Sequence, residues 1–99
     1  MALHRLKTWA QFFAAVESGE KTFEYRRNDR GFQRGDTLEL IEVIGEDGSY
    51  PNGSQYQRLK ETGRTLRFQI GYVLSHPTML DGYVALALVP VGAAMVVGR

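Results

Sequence analysis

The 99-residue sequence contains no cysteine, which excludes disulfide bonds and metal sites built from thiolates. Its two histidines, His4 and His76, are far apart and no run of carboxylates completes a ligand set, so we predict no metal site and no cofactor. No apolar run has the length of a membrane helix, and the start MALHRLKTW lacks the apolar segment of a signal peptide. We therefore expect a soluble, cytoplasmic protein that does not associate with a membrane.

An excess of charge of one sign is also missing, since the formal net charge is +1. Proteins that bind nucleic acid mainly through its phosphates carry a clear cationic surplus. The composition is otherwise that of a folded globular domain, with 43% hydrophobic and 23% charged residues. If this chain binds nucleic acid, we expect a local pocket to provide most of the recognition.

One helix is predicted near the start, in the segment TWAQFFAAVESG. Thr8 followed by Gln11 fits a capping box, and Gly19 stands where helices commonly end in the left-handed conformation. Helical spacing of the apolar side chains predicts one stripe that packs on a sheet. The stripe consists of Trp9, Phe12, Phe13 and Val16.

Five segments have the patterns of β-strands: LHRLK, KTFEYRR, TLELIEVI, RTLRFQIGYVL and YVALALVPV. The fourth is predicted to place Leu66, Phe68, Ile70, Tyr72 and Leu74 on one face, and the fifth to be a central strand buried on both faces. Residues 50–63 are predicted to form a long loop with at most one helical turn.

These elements predict a mainly β fold with one or two helices (α+β) and a single domain over residues 1–99. The architecture that they favour is a small, partly closed β-barrel with a helix packed against it. The apolar tail, residues 92–99, can pair with a strand, fray, or form a dimer contact. A monomer and a weak homodimer therefore both stay open.

Charge is concentrated in one run, where nine of the seventeen residues from Glu20 to Asp36 are charged. The run reads G-x-K-T-x-E-x-R-x-N-D-R-x-F-x-x-G-D from Gly19 to Asp36. Together with HRLKTW near the start and TGR, YVL and DGYVALAL later, it resembles the DUF3850 family, which looks like a branch of the ASCH group in the PUA-like superfamily. The resemblance extends from His4 to about Leu88.

The resemblance implies a PUA-like barrel with a cleft beside the charged run. PUA-like domains generally bind RNA or a single, often modified, base, and ASCH domains are widely proposed to bind RNA. A few ASCH members are enzymes, either amidohydrolases of acylated cytidine-type nucleosides or ribonucleases. Lys21 and Arg26 match the amidohydrolase motif, but Glu24 stands in place of its nucleophilic threonine. RTLRFQIGYVL also lacks the later glutamate, which argues against the threonine mechanism.

The predicted ligand-binding residues are Lys21, Glu24, Arg26 and Asn28, with Lys7 and Arg64 as further phosphate contacts. Glu24 would accept a hydrogen bond from a base amine while Arg26 binds a phosphate or stacks on a ring. The structural alternative is a Glu24–Arg26 ion pair on an exposed face, worth about 0–1 kcal/mol. Asn28 can instead be a turn residue whose side chain bonds nearby backbone amides. His4 can be a structural residue whose hydrogen bonds are formed within the protein.

The function predicted from these residues is binding of RNA or a nucleotide, with recognition of a base and a phosphate in a charged cleft. The alternative is a small hydrolase of RNA or of an acylated cytidine-type nucleoside, with Lys21 and Glu24 as the acid/base pair. A third hypothesis is a non-catalytic interaction module. Whether the protein is an enzyme is left open at this point.

Overall fold

The computed structural model describes residues 1–75, 77 and 79–91. The chain order is β1 (Leu3–Trp9), α1 (Ala10–Glu17), β2 (Phe23–Arg27), β3 (Thr37–Gly45), β4 (Leu59–Leu74) and β5 (Tyr83–Pro90). The predicted mainly β fold with a helix is confirmed. The predictions for His76 and for residues 92–99 lie outside the described residues. No helix in the described part of the chain is long and apolar enough to cross a membrane.

The five strands form one sheet with the order β1-β3-β4-β5-β2. β5 pairs antiparallel with both β2 and β4, so the prediction that it is a central strand is confirmed. β1 and β2 are the two edge strands, and the sheet is therefore not closed within the described residues. This open sheet differs from the partly closed barrel that the sequence predicted.

The chain divides into two compact units. The first contains residues 1–4, 22–38 and the described residues from 67 onward, and the second contains residues 5–21 and 39–66. β1, β3 and β4 each contribute residues to both units.

In the first unit, one face of β5 supplies the core. Val84, Leu86 and Leu88 are buried, whereas the residues between them are only half-buried. The expectation that β5 is buried equally on both faces was therefore wrong. Phe68 and Ile70 of β4 are buried as well.

A β-bulge at Gly71 divides β4. Ile70 lies opposite Leu88 and Tyr72 lies opposite Ala87, so Gly71 is the extra residue. Ile70 is buried while Tyr72 is exposed, and the predicted single apolar face from Leu66 to Leu74 is therefore wrong. A Cβ atom on residue 71 would lie 2.6 Å from Cγ2 of Val89, which explains why glycine occupies this position.

In the second unit, α1 buries Ala10, Phe13 and Val16, but Phe12 of the predicted stripe is half-exposed. The predicted capping box is absent: the N-cap is Trp9, without a side-chain cap, and the Thr8 hydroxyl donates to the carbonyl of Leu6 instead.

The end of α1 agrees with the prediction. Gly19 has φ +85°, in the left-handed region, and its amide donates to the carbonyl of Val16.

The loop after β3 is shorter than predicted, because β4 already begins at Leu59. Part of the loop lies against the first helical turn, where the Gln11 amide group donates to the carbonyl of Pro51 at 2.8 Å. Gln57 donates to the carbonyl of Tyr50 at 3.0 Å and accepts from the amide of Asn52 at 2.9 Å. These hydrogen bonds give the loop a defined conformation.

Candidate functional site

Glu24 and Arg26 of β2 lie on the core side of the first unit. Glu24 is opposite Leu86 and Arg26 is opposite Val84, and both partners are buried. The Glu24 side chain is 5% exposed and its Oε2 accepts a hydrogen bond from Nε of Arg26 at 3.0 Å. The ion pair that the sequence suggested is present, but its carboxylate is buried instead of exposed. Attraction by the guanidinium offsets part of the free-energy cost of burying the carboxylate.

Asn28 stabilises the loop after β2. Its Oδ1 accepts a hydrogen bond from the amide of Phe32 at 3.3 Å, in agreement with the turn interpretation. Phe32 is buried, and its ring packs edge-on against His4 with 4.8 Å between ring centroids. Phe32 therefore anchors the loop in the core of the first unit.

Asp36 connects the end of this loop to the start of β1. Its carboxylate accepts hydrogen bonds from Nε2 of His4 at 2.9 Å and from the amides of Ala2 and Gln33, each at 3.0 Å. The hydrogen bond from His4, assisted by those from the two amides, lowers the pKa of Asp36 below its ordinary value of 3.8. His4 thus has the structural role that the sequence favoured.

Lys21 belongs to the second unit, whereas Glu24, Arg26 and Asn28 belong to the first. The amide of Lys21 donates to the carbonyl of Ala15 at 2.9 Å, and its Nζ lies 5.8 Å from the ring centroid of Phe12. The role of Lys21 as a ligand contact stays a prediction.

Arg64 of β4 is engaged by two carboxylates of the second unit. It forms a hydrogen-bonded ion pair with Glu17, and its Nη1 lies 3.8 Å from Oε1 of Glu42. The hydrogen bond to Glu17 raises the pKa of the Arg64 guanidinium above its ordinary value. A phosphate would have to compete with both carboxylates for Arg64, so the predicted phosphate contact requires a rearrangement.

A pocket of about 460 Å³ lies in the second unit, and Lys7 is the predicted site residue that lines it. The complete lining consists of Lys7, Trp9, Val43, Leu59, Lys60 and Glu61. The indole of Trp9 is held by the ring of Phe12, stacked at 5.8 Å between centroids. The residues that line the pocket therefore include one tryptophan, two lysines and one glutamate.

The family of the chain follows from its comparison with known proteins. Residues 3–88 match the family model DUF3850, described as a domain of unknown function. The chain belongs to the DUF3850 family. A relative, the "Uncharacterized 12.9 kDa protein in GpA 3'region" of Escherichia phage P2, is 33% identical over 84 residues. These residues are 85% of this chain and 65% of the relative, so the chain spans less than two thirds of that protein's length.

The DUF3850 match contains all six predicted ligand-binding residues and also the pocket. From the sequence, Trp9 is predicted to belong to the core, and Lys60 and Glu61 are predicted to lie in a loop. Strand alternation could have identified Trp9, because residues 7 and 9 of one strand share a face. Nothing in the sequence indicated that Lys60 and Glu61 belong to β4, since their surroundings have no steady period.

Proposed function

We propose that this DUF3850 chain binds RNA or a nucleotide and recognises both a base and a phosphate. The observation that supports this proposal is the pocket in which Lys7 and Lys60 accompany the indole of Trp9. Its volume of about 460 Å³ lies in the range of small-molecule sites. The net charge of +1 argues against backbone binding over a broad cationic surface, so a local site is what such a protein requires.

The pocket offers a separate chemical contact to each part of a nucleotide. A base can stack on Trp9, an interaction that contributes about 1–3 kcal/mol in single-strand binding proteins. The ammonium groups of Lys7 and Lys60 can neutralise a phosphate, and the carboxylate of Glu61 can accept a hydrogen bond from an exocyclic amine.

The proposal includes membership of the ASCH group within the PUA-like superfamily. The motif from Gly19 to Asp36 and the helix directly after the first of five strands support this assignment.

Fluorescence of Trp9 tests the proposal directly, because Trp9 is the single tryptophan of the sequence. We expect the four nucleoside 5′-monophosphates to quench it in a saturable manner. Lys7→Ala and Lys60→Ala should each weaken binding about three- to tenfold, as loss of one phosphate contact predicts. Lys21→Ala distinguishes the pocket from the charged run, because Lys21 does not line the pocket, and it should leave the affinity unchanged if the pocket is the site.

Two results would contradict this assignment. Absence of quenching at millimolar nucleotide would exclude the pocket as a nucleotide site. Loss of affinity in Lys21→Ala, with Lys7→Ala unaffected, would indicate the charged run as the site instead. Hydrolysis of RNA or of acylated cytidine stays a prediction, and chromatography of the same mixtures after incubation would detect its products.

A further inference from the structure

The strands β2, β5 and β4 of the first unit present an aromatic face on the side of the sheet opposite the buried core. Phe23 of β2 and Tyr72 of β4 both lie opposite Ala87 of β5. These two side chains are 48% and 57% exposed. Large apolar side chains usually occur singly on a protein surface, so a row of this kind indicates a binding surface.

A second row lies two residues further along the strands. Tyr25 of β2 and Leu74 of β4 both lie opposite Ala85, and they are 47% and 38% exposed. The Gly71 bulge produces both rows, because it directs Tyr72 and Leu74 away from the core.

Ala85 and Ala87 of β5 have short side chains and leave a shallow trough between β2 and β4. Neighbouring strands are about 4.8 Å apart, so the backbones at Phe23 and Tyr72 are about 10 Å apart across Ala87. Aromatic pairs have ring centroids about 4.5–7 Å apart. Because Phe23 and Tyr72 flank the short side chain of Ala87, one planar base can contact both rings.

The tyrosines at one end of the trough are held in place by their neighbours. The rings of Tyr25 and Tyr83 are stacked with centroids 5.3 Å apart and an interplanar angle of 18°. The guanidinium of Arg27 lies 5.2 Å from the centroid of Tyr83 and donates a hydrogen bond to its hydroxyl at 3.3 Å. Fixed rings lose little conformational freedom on binding, which favours their use as a stacking surface.

The charge of this face identifies the partner. Arg27 and, by strand alternation, Arg67 lie on the same face as the two aromatic rows. The described strand positions of this face, on β2 and β5 and from 67 to 74 on β4, contain no acidic residue. A surface that combines aromatic rings with positive charge is complementary to bases linked by phosphates.

We propose that this face binds the unstacked bases of single-stranded RNA, with one base between Phe23 and Tyr72 and a second on Tyr25. The proposal goes beyond the proposed function, because it adds a second surface, in the first unit, that binds a strand of at least two nucleotides. Binding by stacking accepts any base, so selectivity at this face is for single strands over duplexes.

Fluorescence anisotropy with a labelled ten-nucleotide RNA tests this proposal on the full chain. We expect Phe23→Ala and Tyr72→Ala each to weaken binding about tenfold, and the matched RNA duplex to compete poorly. Tyr72→Phe keeps the ring and should bind like the parent. Tyr56→Ala removes an exposed tyrosine of the loop in the second unit and is the control for non-specific loss of a ring.

A second measurement needs no variant. Photocrosslinking of the parent protein to RNA with 4-thiouridine, followed by mass spectrometry, should attach RNA to peptides that contain residues 23–27 or 72–74. Crosslinks confined to other peptides would overturn the proposal. So would single-stranded RNA binding that Phe23→Ala and Tyr72→Ala leave unchanged.

The experiments separate this proposal from the previous one. Quenching of Trp9 by mononucleotides, combined with RNA binding that does not depend on the aromatic face, would refute only the proposal made here. Absence of both quenching and RNA binding would refute both proposals. If the parent forms a dimer in analytical ultracentrifugation and Tyr72→Ala is a monomer, the face is an interface between two copies and the RNA assignment is wrong.

Discussion

The bulge at Gly71 makes a specific prediction about stability. In Gly71→Ala, the new Cβ would lie 2.6 Å from Cγ2 of Val89, closer than two carbon atoms can approach without a shift. Such overpacking costs about 1–3 kcal/mol. The lower chain entropy of alanine in the unfolded state offsets about 0.4–1 kcal/mol of this cost. The midpoints of these two ranges predict a net loss of about 1.3 kcal/mol in the free energy of unfolding.

Removing the opposing methyl groups should reverse most of the loss. The double variant Gly71→Ala/Val89→Ala should be about as stable as Val89→Ala alone, because the new methyl group then has space. Urea unfolding followed by far-ultraviolet circular dichroism measures all four proteins of this cycle. Gln69→Ala is the control, because Gln69 lies opposite Val89 without a glycine constraint.

Two outcomes would refute the reasoning. Gly71→Ala could be as stable as the parent, which would mean that residue 71 does not face Val89. Alternatively, the losses of the two single variants could add in the double variant, which would show that the two positions do not interact.

Three further predictions concern the first unit and the end of α1. The fold lowers the pKa of Asp36, so its ionised form stabilises the protein above about pH 4. This contribution to the free energy of unfolding is lost as the pH falls through the folded pKa. Asp36→Asn should therefore flatten the acid dependence of stability in urea titrations. Glu24→Ala should cost about 1–3 kcal/mol, because it removes a buried carboxylate that accepts a hydrogen bond from the partly exposed Arg26. Equal stability of variant and parent would contradict the burial of the pair. Gly19→Ala should lower the melting temperature, because it places a Cβ at φ +85°, and Ser18→Ala provides the comparison.

The sequence predicted the strands and the helix well, because their hydrophobic periods are regular. It did not predict which face of β2 is buried, since a period of two gives the alternation and leaves the direction open. The aromatic residues Phe23 and Tyr25 lie on the exposed face, and the buried residue is Glu24, which is paired with a guanidinium. The orientation of β2 follows from its pairing with β5, because Glu24 lies opposite the buried Leu86.

The candidate pocket was also only partly predictable. Lys7 was predicted as a ligand-binding residue because it belongs to a segment that resembles the family. Lys60 was not predicted, because it lies in a segment without a regular hydrophobic period. The bulge at Gly71 had a visible signal, a glycine within an otherwise regular strand. The bulge turns Tyr72 to the exposed face. This effect depends on the register between β4 and β5, which cannot be read from the sequence of β4 alone.

The three hydrogen bonds at Asp36 have a consequence for local motion. One carboxylate protects the amides of Ala2 and Gln33, which are more than thirty positions apart in the chain. Both protons therefore lose their acceptor in the same opening event and should exchange with deuterated solvent at similar rates. We therefore expect the residue before β1 and the last turn of the charged run to open together.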